Sequence, residues 1–218
     1  MDEDQRVGIL TGLFVACLVL ANLIGGKISY LNVFGVHVDW SVGILVFPVT
    51  KLITDIVGEV RGRKASKQLV YTGLWALAFV LLIVWVTTHL PFAERSWVTP
   101  SQFDPVFKAS VRMMIASLVA YFIATMNDVL LFQWLKQKTQ GRLLWLRNNV
   151  STIVSEGVDT LIFMFLAFYM VTPKHTALYV LGLAIPYYLL KVVVAVLHTP
   201  FCYWGVWWLK GNPSGKRS

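Results

Sequence analysis

The sequence predicts an all-α integral membrane protein with six transmembrane helices and both termini in the cytoplasm. Three observations lead there. Hydrophobic residues make up 57% of the 218 and charged residues only 14%, which leaves too little polar surface for a soluble domain of this length. The apolar residues fall in runs of about 20, the length needed to cross a bilayer core as a helix. The basic residues collect between alternate runs, the pattern of cytoplasmic loops. That clustering accounts for the formal charge of +8 without a nucleic-acid partner.

The elements follow in order as one transmembrane domain over 1–218. The first stretch, "MDEDQRVGILTGLFVACLVLANLI", has an acidic leader and no small-residue cleavage site, so it reads as a first membrane helix (7–25) and not a secretory signal. "ISYLNVFGVHVDW" alternates in part around Gly35, consistent with a short hairpin. Span two (40–60) contains Pro48, whose missing N–H leaves the Ile44 carbonyl without its helical donor and predicts a kink. Spans three to six are expected at 68–90, 111–135, 150–171 and 176–198. Three prolines and several aromatics in 91–110 suit a segment folded back on the membrane surface. A single helix from Thr176 to Leu209 would be ~50 Å long, too long for a bilayer. Pro200 therefore ends or bends it, and 200–210, with Trp204, Trp207 and Trp208, becomes an interfacial segment.

Orientation comes from lysine and arginine. Arg61, Arg63, Lys64 and Lys67 lie between spans two and three, and Lys136, Lys138, Arg142 and Arg147 between four and five. Lys210, Lys216 and Arg217 follow the last span, whereas the opposite loops hold Lys27, Arg95, Lys108 and Lys174. The first set belongs in the cytoplasm. The two cysteines, Cys17 and Cys202, form no disulfide framework and no metal-ligand spacing. No metal or cofactor is expected.

Ionisable groups inside a span are costly and usually face a cavity or a partner. Asp55 in span two, Asp128 in span four and Lys191 in span six each lie about 15–17 residues past the outer start, ~22–26 Å deep. Span five runs outward, and its Glu156 and Asp159 lie ~9–14 Å from the inner start. Four spans therefore bring charge to one slab near the midplane. Glu156 and Asp159, three apart, share a helical face that also carries Thr152 and Ser155. Asn127 and Asp128 are adjacent and diverge by ~100° around their helix, which makes Asp128 the better candidate. Lys51 and Asp55 can pair at i,i+4. Glu59 reads equally well as an interfacial partner of Arg63, Arg112 as a side chain snorkelling outward, and His198 as an interfacial residue.

These residues resemble a known family. "FPVTKLITDIVGEVRGRKASKQLVYTG", "AYFIATMNDVLLFQWLK", "WLRNNVSTIVSEGVDTLIFMFLAF" and "LLKVVVAVLHTPFCYW" are similar to the blocks of the bacterial queuosine precursor transporters within the vitamin uptake transporter group. The resemblance covers about residues 20–205. It departs at Glu156, where many relatives are expected to carry an amide or another polar residue. It implies uptake of 7-cyano-7-deazaguanine or its 7-aminomethyl relative across the inner membrane, in service of queuosine synthesis and tRNA modification. A carboxylate among Asp55, Asp128, Glu156 and Asp159 would accept the adjacent N–H donors of the base. Asn127 or Lys191 would donate to its ring carbonyl, with Lys51 as a counter-ion. Phe47, Trp75 and Phe163 are candidates to stack on the ring, although helix packing is the commoner use of such aromatics.

Two other classes compete. A substrate-binding subunit of an energised vitamin importer would need a partner chain, because no phosphate-binding loop of the G-x-x-x-x-G-K-[ST] kind is present. A transporter for another small polar heterocycle would use the same carboxylates. An enzyme is disfavoured: there is no metalloprotease helix motif, nucleophile elbow or usefully spaced Cys/His pair. The expected partners are thus the base and the lipid bilayer, and the Trp-rich tail offers a surface for a homodimer.

Overall fold

The computed structural model describes residues 2–33, 36–140, 144–197 and 199–210. Helix α1 (Glu3–Ile24) opens on a capping box: Gln5 N–H donates to Asp2 Oδ1 at 2.7 Å, and Asp2 N–H donates to Gln5 Oε1 at 3.1 Å. These bonds satisfy two end groups of the helix, and Glu3 and Asp4 complement its positive end. Strands β1 (Ile28–Val33) and β2 (Val36–Ser41) form a two-stranded sheet. The partial alternation anticipated this hairpin, so the fold is helical with one small sheet and not all-α. Its base is tied by Val42 N–H to the Lys27 carbonyl at 3.0 Å and by the Ser41 hydroxyl to the Gly25 carbonyl at 2.6 Å.

A 3₁₀ turn (Val42–Val46) leads into α2 (Phe47–Thr87). Pro48 therefore sits in the first turn of α2, where its missing N–H costs nothing. It starts a helix and does not kink one, which corrects the expected kink in span two. The break in α2 comes instead at Gly62, with φ 81° and ψ 173°. That region is essentially reserved for glycine, and it separates the two halves of α2 where the basic turn was expected. Helix α3 (Pro100–Lys138) begins about eleven residues before the expected span, because Thr99 and Gln102 organise its first turn. Gln102 Oε1 accepts from the Thr99 N–H at 3.0 Å. Helices α4 (Leu144–Phe168), α5 (Ala177–Leu197) and α6 (Thr199–Lys210) complete the chain.

By length and composition, three stretches among the described residues can cross a membrane: Glu3–Ile24, Lys64–Thr87 and Pro100–Asn127. The stretch Ala177–Val193 of α5 is apolar as well.

The chain forms two compact units. The first comprises 1–29, 41–111 and 190–218. Its core is made of Leu10 and Phe14 from α1, Ile53, Ile56, Val57 and Leu69 from α2, and Leu209 from α6. The contact of α6 with α2 depends on Gly205, where a Cβ would lie 2.1 Å from Ile56 Cδ1. Arg6 adds a polar tie, donating to the Trp208 carbonyl with its guanidinium carbon 5.6 Å from the Trp208 ring centroid. Arg61 bridges to Glu3 at 2.7 Å and Asp4 at 2.5 Å. Hydrogen bonds to Asp4 and then Glu3 raise its pKa above the usual guanidinium value.

The second unit comprises 30–40 and 112–189. Its buried apolar residues include Met113, Met114, Ala116, Ala120 and Ala124 on α3, Met164, Ala167 and Phe168 on α4, and Val180, Leu183 and Ala184 on α5, with alanine and methionine predominant. Small side chains let helix backbones approach closely where no water-driven collapse is available. Arg112, expected to snorkel outward, instead donates to the carbonyls of Leu166 at 2.7 Å and Tyr169 at 2.6 Å. Those carbonyls lie at the C-terminal end of α4, which a cation complements.

Candidate functional site

The candidate residues fall into two groups, one in each unit. In the first unit, Lys51 and Asp55 lie one turn apart on α2, and their ion pair closes at 3.2 Å. Each side chain is about one-third exposed (31% and 33%), so the pair remains reachable. Lys191 on α5 is only 8% exposed, and burying an ammonium that deeply demands compensation. Phe47 supplies part of it: the Lys191 Nζ lies 5.2 Å from the Phe47 ring centroid, within cation–π range. Phe47 thus supports the lysine. The Cys202 thiol on α6 is raised in pKa by burial first and then by the negative charges of Asp55 and Glu59, so α6 comes within electrostatic reach of this group. Trp75 lies beyond the Gly62 break and is 77% exposed. It is not brought to the other candidates.

In the second unit, α4 presents a polar face. Ser151, Ser155 and Thr160 are buried, and Glu156 and Asp159 are half-buried beside them. The spacing of three and four residues places them along one side of the helix. Asn127 on α3 donates from Nδ2 to Ser155 Oγ at 3.3 Å, tying α3 to that face. The Thr160 hydroxyl is buried without a hydrogen-bond partner among the described residues. Phe163, one turn beyond Asp159, lies 6.5 Å from the Tyr187 ring and 6.4 Å from the Phe168 ring, measured between centroids. Its ring is part of an aromatic cluster. Asp128 lies on α3, but its side chain is outside the described residues, as are the side chains of Thr152 and Arg63 and all of His198.

Two features were missed from the sequence. One is the Arg112 cap of α4, which depends on a neighbouring helix and leaves no local pattern. The other is Asp39 on β2, which accepts a hydrogen bond from the Tyr179 hydroxyl at 3.1 Å across 140 residues of sequence. The hairpin alternation was the signal that could have drawn attention to Asp39. No group of three or more metal-ligating side chains occurs among the described residues.

Several apolar helices, three of them long enough among the described residues to cross a bilayer, define a multi-pass membrane protein. The comparison with known proteins names the family. Residues 41–205 match the family model described as "Putative vitamin uptake transporter", and the chain belongs to that family. It is 28% identical over 196 residues to the "Probable queuosine precursor transporter" of Bacillus subtilis, covering 88% of this chain and 82% of that one. It is 27% identical to the "Queuosine precursor transporter" of Escherichia coli, covering 76% and 71% of the two chains. A "Probable queuosine precursor transporter" of Haemophilus influenzae is 25% identical, over 76% and 67%. No solved structure matches the chain. The protein is therefore a multi-pass transporter-family membrane protein, a class found in the inner membrane of bacteria.

Proposed function

We propose that the chain takes up queuosine precursors, 7-cyano-7-deazaguanine or 7-aminomethyl-7-deazaguanine, across the inner membrane. The observation that carries this reading is the similarity, over 88% of the chain, to a relative named for queuosine precursor transport. The reading takes the six-span topology with cytoplasmic termini expected from the sequence and Asp55, Asp128, Glu156, Asp159 and Lys191 as its candidate residues. The chemistry fits the ligand. The N–H donors of a guanine-like edge suit a carboxylate on α4, and the ring carbonyl suits Asn127 or the ammonium of Lys191. In a low-dielectric site such charge-assisted bonds are strong. Movement follows alternating access around these residues, by facilitated diffusion or with a coupled ion.

The test is uptake of labelled 7-cyano-7-deazaguanine by cells that cannot synthesise it, with and without this protein. The expected result is uptake that depends on the protein. Absence of uptake despite confirmed membrane expression overturns the reading. Because the family description speaks of vitamins, competition by other small heterocycles in the same assay sets the substrate range. Uptake by the purified chain in liposomes distinguishes a self-sufficient transporter from a binding subunit that needs an energising partner.

A further inference from the structure

A groove of about 420 Å³ lies within the second unit, away from the α4 carboxylates. It is lined by Val38 and Asp39 of β2 and by one face of α5 that includes Tyr179, Gly182 and Pro186 and ends at Leu189. The volume falls within the ~300–1,000 Å³ of small-molecule sites, which are typically apolar with a few placed polar groups. From Tyr179 to Leu189 the helix rises ~15 Å, so the groove is long and narrow, and it stops two residues short of Lys191.

Its polar groups are of one kind. Asp39 is a carboxylate at one end; among the described residues its hydrogen bond is from the Tyr179 hydroxyl to Oδ2. That bond leaves lone pairs of the carboxylate to accept more. The His175 ring packs edge-on against Tyr179, with centroids 5.1 Å apart, and braces the phenol. The second acceptor comes from the backbone. Pro186 lies inside α5 and has no N–H, so the carbonyl four residues earlier, that of Gly182, loses its helical donor. Gly182 itself lines the groove, and a Cβ built on it would meet nothing within 4 Å. The groove combines apolar walls with two acceptors, one charged, a chemistry that selects a flat ligand rich in N–H donors.

We propose that this groove is a second binding subsite, in which Asp39 and the Gly182 carbonyl hold the donor edge of a planar heterocycle before it reaches the deeper carboxylates. The assignment rests on the transport reading given above and on the orientation that places the start of α5 outside. A lipid acyl chain would fill the apolar walls but would leave Asp39 without a purpose.

The experiment measures initial rates of labelled 7-cyano-7-deazaguanine uptake against external concentration, in cells unable to make the base, for wild type, Asp39→Asn and Gly182→Leu. Leucine at 182 grows into open space and improves helix propensity, so the fold is retained; Gly182→Val serves if the leucine variant does not accumulate. Asp39→Asn is expected to raise KM about tenfold, the scale of one lost charge-assisted hydrogen bond, and Gly182→Leu to raise it about as much by filling the groove, with Vmax within about twofold of wild type at equal membrane abundance. No uptake by wild type overturns the transport reading, and the subsite with it. Wild-type uptake with unchanged KM in both variants overturns the subsite alone. A raised KM in Gly182→Leu with a normal value in Asp39→Asn overturns recognition of a donor edge and leaves only an apolar groove.

Discussion

The two units solve the problem of carrying charge in a membrane protein differently. In the first, described candidate charges are compensated nearby: Lys51 pairs with Asp55, and Lys191 sits over Phe47. These groups hang on a core of leucine, isoleucine, valine and phenylalanine. In the second, α4 brings two carboxylates together with buried serines and a threonine, on a background of alanine and methionine. The first unit contributes more cation than anion among these residues, and the second contributes carboxylate, amide and hydroxyl. The difference teaches that charge is carried in two ways on an apolar background, by local pairing in one unit and by a shared polar helix face in the other.

The largest expected effect breaks the carboxylate half of this comparison. Glu156→Gln and Asp159→Asn should each reduce uptake about a hundredfold, the upper end of what loss of a charge-assisted hydrogen bond costs. Uptake rates normalised to membrane abundance check this, and normal uptake in both variants would place recognition elsewhere. Next comes the cation half. Lys191→Met should weaken uptake about tenfold at equal membrane abundance. A fall in melting temperature with normal uptake would instead make the lysine structural.

A smaller effect, on stability, tests the scaffold of the first unit. Gly62→Ala forces a Cβ into a backbone conformation that costs about 1–3 kcal/mol. Thermal unfolding in detergent should show the loss, with substrate affinity retained. The smallest expected effect is that of Arg61→Gln. It removes exposed bridges to Glu3 and Asp4, so any drop in melting temperature should be slight and should vanish at high salt.

The candidate residues were legible as a list because charge in an apolar run is conspicuous. The i,i+4 pair of Lys51 and Asp55 and the shared face of Glu156 and Asp159 needed only helical periodicity. The roles of the aromatics were not legible. Phe47 and Trp75 look alike as candidates on one helix, yet one carries a buried lysine and the other is exposed beyond a backbone break. Hydropathy likewise favours α1, the second half of α2 and α3.

Composition, loop charge and periodicity alone determined a helical membrane protein with ionisable groups on several of its spans. Those properties are local: each depends on what a residue is and on which helical face it lies. Only the tertiary structure decided that Pro48 begins a helix, that Gly62 breaks one, that Arg112 caps α4 and that Asp39 meets Tyr179. Each of these depends on a backbone angle or on a partner far away in sequence, and neither is written in the spacing of nearby residues.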